Sequence, residues 1–309
     1  MAKTKYFVLF ASFFFLAAAV ISIAYAAADK KTEKSYVEIS SPADRSIVYV
    51  DNVTLKGKII DGNVKKLMVQ GNEAEIGADG SFAATASLSA GKNSVRIRGV
   101  DKNGKLLSPT YVRVLRLVYF GDVPVDYWAR SNVEQLATLG ILTGYPDGTF
   151  RPDASINRAE LATILAKLKS PGGQKVEISS FPDVPADYWA EPYIEAAVKA
   201  KLVTGYPDET FRPTVPIDRV DAIVVLTRFA DLPETYNLTT FYKDILPQHW
   251  AVSLISAARA AGFLDYIKGD MFEPARLFTR GETCWVLSRT KYVEAKIKDL
   301  MDFEKGYEK

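Results

Sequence analysis

Cysteine and histidine each occur once in the 309 residues, as Cys284 and His249. One thiol can neither close an internal disulfide nor assemble a thiolate metal site, and no Ser-His or Cys-His motif appears. Cys284 stands beside Trp285 in an apolar stretch, where a packed core thiol is the expected reading. Neither sign of charge dominates. Without Lys3 and Lys5 the 39 basic residues fall to 37, equal to the 37 acidic ones, so bulk charge gives no reason to expect a nucleic-acid partner. Gly-rich phosphate loops are missing, and the Asp147-Gly148 turn lacks the spacing of a calcium loop. Neither a metal nor a cofactor is expected.

A long hydrophobic run stands at the start. Lys3 and Lys5 precede an uncharged stretch from Tyr6 to Ala28 that holds Phe13-Phe14-Phe15-Leu16 and ends in Ala24-Tyr25-Ala26. A basic start, an apolar middle and a small-x-small step describe a signal peptide over residues 1–28, and so an exported chain with no membrane segment after cleavage. The same run is long enough to span a bilayer, so retention as an anchor is the alternative.

Residues 35–118 alternate in polarity and are punctuated by Asp61-Gly62-Asn63, Gly71-Asn72, Asp79-Gly80, Gly91-Lys92-Asn93 and Asn103-Gly104. Short runs between such turns predict an all-β antiparallel sandwich of about seven strands. Ser41-Pro42-Ala43, Asp79-Gly80-Ser81-Phe82 and Gly91-x-Asn93-x-Val95 make the segment similar to bacterial immunoglobulin-like modules, which implies a spacer or docking surface.

Beyond residue 118 the chain repeats itself. Trp128, Trp189 and Trp250 stand 61 residues apart, as do Arg158, Arg219 and Arg280. A unit of this size cannot bury its own apolar face, so the copies must pack on one another and function is expected between them. In the first copy Val133, Leu136 and Ala137 share a helical face, Gly140 stops the helix, and a Gly/Pro-dense turn from Thr143 to Pro152 leads to a second helix near Asn157. The copies span residues 119–170, 178–231 and 239–291. Ser170-Pro171-Gly172-Gly173-Gln174 reads as a linker, and residues 292–309 as a charged tail extending the last helix before fraying.

The recurring pieces are Phe-x-Asp-Val, Tyr/His-Trp-Ala, the Gly144-Tyr145-Pro146-Asp147-Gly148-Thr149-Phe150-Arg151-Pro152 turn and an Arg-x-acid helix start. With these the segment resembles the S-layer homology domain. The resemblance implies an all-α pseudo-threefold spindle of three repeats, whose inter-repeat grooves bind cell-wall polysaccharide or modified peptidoglycan without catalysis.

On chemical grounds an Arg fork is a strong handle for an acidic sugar, which makes Arg158, Arg219 and Arg280 candidate ligands. Asn157, Asp218 and Thr279 before them read as helix N-caps, and Glu160, Asp221 and Glu282 suit the first turn. Trp128, Trp189 and Trp250 could stack on sugar faces, although a Trp at the start of an amphipathic helix is expected in the core. Asp122, Asp183 and Asp244 fit either a turn-closing role or contact with ligand hydroxyls. Gly144-Tyr145 and Gly205-Tyr206 suit a groove wall. The third copy has Tyr266-Ile267 there, so grooves shaped by the first two turns, with Arg158 and Arg219, are the better candidates. His249 fills the slot of Tyr127 and Tyr188.

The resulting expectation is a noncatalytic envelope protein held to the wall by its repeats and displaying its sandwich. Rival readings are self-association in a surface layer and a wall-active hydrolase.

Overall fold

The computed structural model describes residues 35–169, 179–234 and 242–307. The expected signal peptide and the Ser170 to Gln174 linker lie outside them.

Eight strands form a two-sheet sandwich: β1 (Val37–Ser41), β2 (Ser46–Val48), β3 (Asn52–Ile59), β4 (Val64–Val69), β5 (Asn72–Ala74), β6 (Ser81–Ser87), β7 (Gly91–Asp101) and β8 (Thr110–Arg116). One sheet runs β1-β3-β6 and the other β2-β8-β7-β4-β5, antiparallel throughout except where β2 lies parallel to β8. The three-residue strands β2 and β5, too short to stand out as alternating runs, take the number past the seven expected. Alternation places Val95 and Ile97 inside and Arg96 outside on β7, and Leu55, Leu67, Phe82, Val112 and Val114 complete the core. The predicted Asp79-Gly80-Ser81 hairpin forms as the residues require, with Gly80 at φ +82° and the Asp79 carboxylate accepting from the Ser81 amide and hydroxyl.

The repeats contribute helices α1 (Arg130–Thr138) and α2 (Arg158–Lys169), α3 (Glu191–Lys199) and α4 (Arg219–Phe229), then α5 (Val252–Ala260) and α6 (Arg280–Ser288). The second helix of each copy packs on the first helix of the next: α2 on α3, α4 on α5, and α6 back on α1. At the hub a closed cycle of backbone hydrogen bonds joins three equivalent residues. The Ile156 amide donates to the Phe278 carbonyl (3.0 Å), Phe278 to Ile217 (2.9 Å) and Ile217 to Ile156 (3.0 Å). Phe150, Phe211 and Phe272 are fully buried around this axis in one core shared by all three copies.

The tail departs from expectation. Thr290, extended at φ −80° and ψ 143°, ends the run from α6 and caps a separate helix, α7 (Lys291–Met301). Val293 enters the repeat core, whereas Leu300 joins Leu115 and Leu117 at the sandwich boundary with Met301 and Phe303 beside them. Arg113 reaches Asp44 and Glu304, and the Lys92 ammonium donates to the Lys305 carbonyl at 2.6 Å. These contacts fasten the tail to the sandwich where local sequence predicted fraying. Among the described residues no helix is long and apolar enough to cross a membrane.

Candidate functional site: grooves between the repeats

The Gly-Tyr-Pro-Asp turns are closed by hydrogen bonds of their own. The Asp147 carboxylate accepts from the Thr149 amide (3.0 Å) and hydroxyl (2.6 Å) and from the Arg151 guanidinium (2.5 Å). Those bonds, led by the Thr149 hydroxyl, hold its carboxyl at about 2, well below the usual range. Asp208 repeats the pattern with Thr210 and Arg212 and is likewise lowered to about 2. The Tyr145 amide closes each hairpin on the Thr149 carbonyl (2.8 Å), as Tyr206 does on Thr210 (2.8 Å). A side chain at Gly144 or Gly205 would drive into the Phe120 or Phe181 ring, which is why glycine stands there.

Asp122 and Asp183 are bound into these turns. Asp122 accepts from the Phe150 amide (2.9 Å) and the Arg151 amide (2.6 Å), and Asp183 from Phe211 (2.8 Å) and Arg212 (2.7 Å). Asp244 does the same for Phe272 (2.7 Å) and Glu273 (2.6 Å). The residues receiving the second bond, Arg151, Arg212 and Glu273, sit at φ 55–59°, a conformation that non-glycine residues adopt only when held. Of the two roles open in the sequence, the geometry displays the turn-closing one.

The three arginines act across copies. Arg280, from the third, donates to the carbonyls of Phe150 (2.9 Å) and Thr143 (2.7 Å) in the first. Arg158, from the first, donates to Phe211 and Thr204 in the second, both at 2.8 Å. Arg219 reaches the third copy, bonding the Phe272 carbonyl and the Glu282 carboxylate (3.0 Å). All three are buried, at 8, 2 and 4% exposure for Arg158, Arg219 and Arg280. The guanidinium of Arg280 also lies 4.7 Å from the Tyr145 ring, whose other neighbour is Arg151 at 4.4 Å; Tyr206 is flanked by Arg158 (4.7 Å) and Arg212 (4.0 Å). The sequence-level pairing of grooves with Arg158 and Arg219 is therefore corrected: the first turn receives Arg280, the second Arg158, and Arg219 belongs to the third.

Two hollows result. Groove 1, about 270 Å³, is lined by Gly144, Tyr145, Thr163, Lys167, Trp189 and Arg280 among others. Groove 2, about 230 Å³, is lined by Gly205, Tyr206, Asp221, Arg228, Trp250 and Arg158 with a Val224 floor. Each thus combines the turn and second helix of one copy, the Trp of the next and the Arg of the preceding one.

The tryptophans correct the core expectation. Trp128, Trp189 and Trp250 are 43, 54 and 61% exposed, while the adjacent Ala129, Ala190 and Ala251 are fully buried and take the core slots. His249 stacks on Trp250 at 5.7 Å, and its Nδ1 accepts the Ala251 amide.

The third inter-repeat space is filled from within. Trp285, at the position of Thr163 and Val224, lies against Trp128 (5.4 Å between centroids), and Tyr266 stacks on Trp128 (5.0 Å, 19° between planes). Arg289 covers Trp285, 3.2 Å from its ring centroid. Burial pushes the Tyr266 hydroxyl far up. Ile267 bonds back to the Leu264 carbonyl, so the hairpin closure of the other two copies is lost.

Sequence reasoning missed the groove face of the second helices: Thr163 and Lys167, Val224 and Arg228, Trp285 and Arg289. Their signal was available, since each pair follows the Arg by five and nine residues in every copy. The caps match expectation. Asn157 and Glu160 exchange amide bonds (2.8 and 2.9 Å), Thr279 and Glu282 form the same box, and Asp218 accepts from the Asp221 amide (2.9 Å). Asp221, a methylene shorter than Glu160, does not complete the box, and burial beside Asp218 raises its carboxyl.

Comparison with known proteins agrees with this architecture. Residues 119–162 and 180–223 match the S-layer homology domain, and residues 36–115 match glucodextranase, domain B. A cellulosome-anchoring protein of Acetivibrio thermocellus is 32% identical over 50% of this chain and 34% of its own length. S-layer protein EA1 of Bacillus anthracis is 33% identical over 55% of this chain and 20% of its own, and an uncharacterized cell wall amidase of the same organism 33% identical over 57% and 32%. The chain thus spans about a third or less of the length of these relatives. The matched helical residues are those of the first two copies; the third, with its rewritten turn, shares their Asp, Trp and Arg geometry. The chain is thus a β-sandwich that matches glucodextranase, domain B, followed by a helical region whose first two copies match the S-layer homology domain.

Proposed function

We propose that this is a noncatalytic cell-envelope protein whose repeats hold it to a cell-wall polysaccharide or to modified peptidoglycan through grooves 1 and 2, with the sandwich displayed outward. The observation that carries this reading is the repeated pairing of an exposed Trp with an Arg-flanked Tyr across each hollow. An indole face packs against sugar C–H groups, and the guanidinium N–H groups not used on carbonyls suit an acidic substituent. Two sites on one rigid module give residence on a repeating polymer beyond either contact alone. The similarity to anchoring and surface-layer proteins supports the same reading, as does an expected location outside the cell on the wall or in the periplasm.

A binding role also fits the carboxylates. Asp122, Asp183 and Glu160 are occupied by backbone amides, which leaves them poorly placed for proton transfer. The test uses full-length protein and purified sacculi. Wild type should sediment with the wall, and a Trp189→Ala, Trp250→Ala double variant should stay in solution while keeping its fold, since both indoles are exposed. Equal sedimentation of the two would refute the groove assignment.

A further inference from the structure

Strand β7 carries an unbalanced line of cations on the outer face of its sheet. Lys92, Ser94, Arg96 and Arg98 alternate with the core residues Val95 and Ile97, so all four point away from the sandwich interior. The acids of neighbouring segments are engaged elsewhere: Asp44 and Glu304 pair with Arg113, and Glu73 pairs with Lys66. Among the described residues neither Arg96 nor Arg98 has an ion pair.

The docked tail turns part of this face into a hollow of about 440 Å³. Lys92, Ser94 and Arg96 of β7 and Tyr111 of β8, which lies opposite Arg96 in the ladder, supply the sheet side, and Gly306 and Tyr307 supply the tail side. The tail is fitted to the strand here. Gly306 adopts φ +71°, and a Cβ on it would come 3.2 Å from the Lys92 ammonium. Tyr307 stacks on Phe303 (5.8 Å between centroids, 11° between planes) and lies 5.5 Å from Lys92 Nζ; burial pushes its hydroxyl up to about 12, so it stays neutral. The side-chain amides lining the hollow are already occupied. Gln70 exchanges two bonds with the Ser87 backbone, both at 3.0 Å, and Asn93 exchanges two with the Ser89 backbone, at 2.9 and 2.8 Å. Among the described residues no carboxylate lines the hollow. Its uncommitted charge is therefore the exposed guanidinium of Arg96.

A guanidinium fork without a counter-ion selects a carboxylate or phosphate, and tyrosine rings on two sides suit a sugar ring that carries one. We propose that this hollow between sandwich and tail is a binding site separate from the inter-repeat grooves, and that it takes an acidic sugar, with Arg96 on the acid and Tyr111 and Tyr307 against the ring. Because the tail supplies one wall, occupancy also favours the docked tail. Nothing in this assignment depends on what the grooves bind.

The Arg96 side-chain N–H and the Gly306 amide of the full-length protein report on the hollow, and the Trp189 and Trp250 indoles report on the grooves. NMR follows all four during titration with tetragalacturonate, chitotetraose and inorganic phosphate. Tetragalacturonate should move both hollow signals at about tenfold lower concentration than phosphate, and uncharged chitotetraose should leave them in place. Arg96→Gln should weaken tetragalacturonate at Gly306 about tenfold, the scale of one charge-assisted hydrogen bond. Arg98→Gln, on the same face outside the hollow, should weaken it less than about twofold, as a screened surface charge does. Tyr307→Ala should cost about fivefold with Arg96 in place. Equal losses in the two arginine variants would reveal diffuse charge attraction and overturn the site. Equal affinity for phosphate and tetragalacturonate, or movement of the hollow signals by chitotetraose, would overturn the acidic-sugar assignment. Silence of Arg96 and Gly306 toward every probe overturns both, whatever the indoles do.

Discussion

Arg280 Nε lies 2.9 Å from the carbonyl oxygen of Phe150, a residue 130 positions earlier, and this bond closes the ring of repeats. Its second donor takes the Thr143 carbonyl, and its guanidinium packs over the Phe150 ring at 4.6 Å. Removing the side chain leaves two carbonyls at a buried seam without partners. Arg280→Ala should therefore lose about 2–4 kcal/mol in urea unfolding. Arg280→Lys should recover less than half of that, because a single ammonium cannot reproduce the fork.

Trp285 and Trp189 should give opposite phenotypes. Trp285 fills the third space against Trp128 and Tyr266, so Trp285→Ala should cost about 3 kcal/mol through the cavity it leaves. Wall sedimentation should persist in that variant at temperatures where it remains folded. Trp189→Ala should shift unfolding little and weaken sedimentation.

Acid should open the two hairpins late. Asp147 and Asp208 titrate at about 2 in the folded protein against a usual 3.8. A carboxylate depressed by folding stabilises the native state fully above its unfolded value and loses that contribution as pH falls through the folded one. The hairpins should thus hold from neutrality to about pH 4 and loosen between 4 and 2. Amide exchange at Tyr145 and Tyr206 measures this directly. Asp147→Asn should abolish the pH dependence at Tyr145 alone.

Much of this architecture is legible in the chain because its causes are local. Turn residues at short intervals specify the sandwich, and the helix–turn–helix unit follows from apolar spacing, Gly140 and the capping residues. The burial of Trp was misread because two adjacent residues compete for one core slot, and the buried Ala129, Ala190 and Ala251 win it. The assignment of each Arg to its groove is not local at all. A capping argument sees only the helix that carries Arg158, whereas its bonds are made to Thr204 and Phe211 in the next copy. The filled third space was foreshadowed by Tyr266 but needed Trp285, whose 61-residue register with Thr163 and Val224 is the overlooked clue.

The docked tail makes the sandwich and the repeats one mechanical unit. Leu300, Met301 and Phe303 pack against Leu115, Leu117 and Leu139, and Arg113 ties Asp44 to the Phe303 carbonyl (3.1 Å) and Glu304. At the other side Arg130 pairs with Glu134 (2.7 Å) while lying 5.6 Å from the Tyr119 ring and 6.0 Å from Tyr49. An apolar cluster flanked by such pairs couples the unfolding of its two halves. Calorimetry of the full chain should show one dominant transition. A Leu300→Ala, Phe303→Ala variant removes the apolar part and leaves both separate cores intact, so it should split the endotherm into a sandwich and a helical transition. A single unsplit transition in that variant would mean that the two cores are coupled through the polar contacts that remain, those of Arg113 and Lys92 with the tail and of Arg130 with Tyr49 and Tyr119, rather than through the apolar cluster.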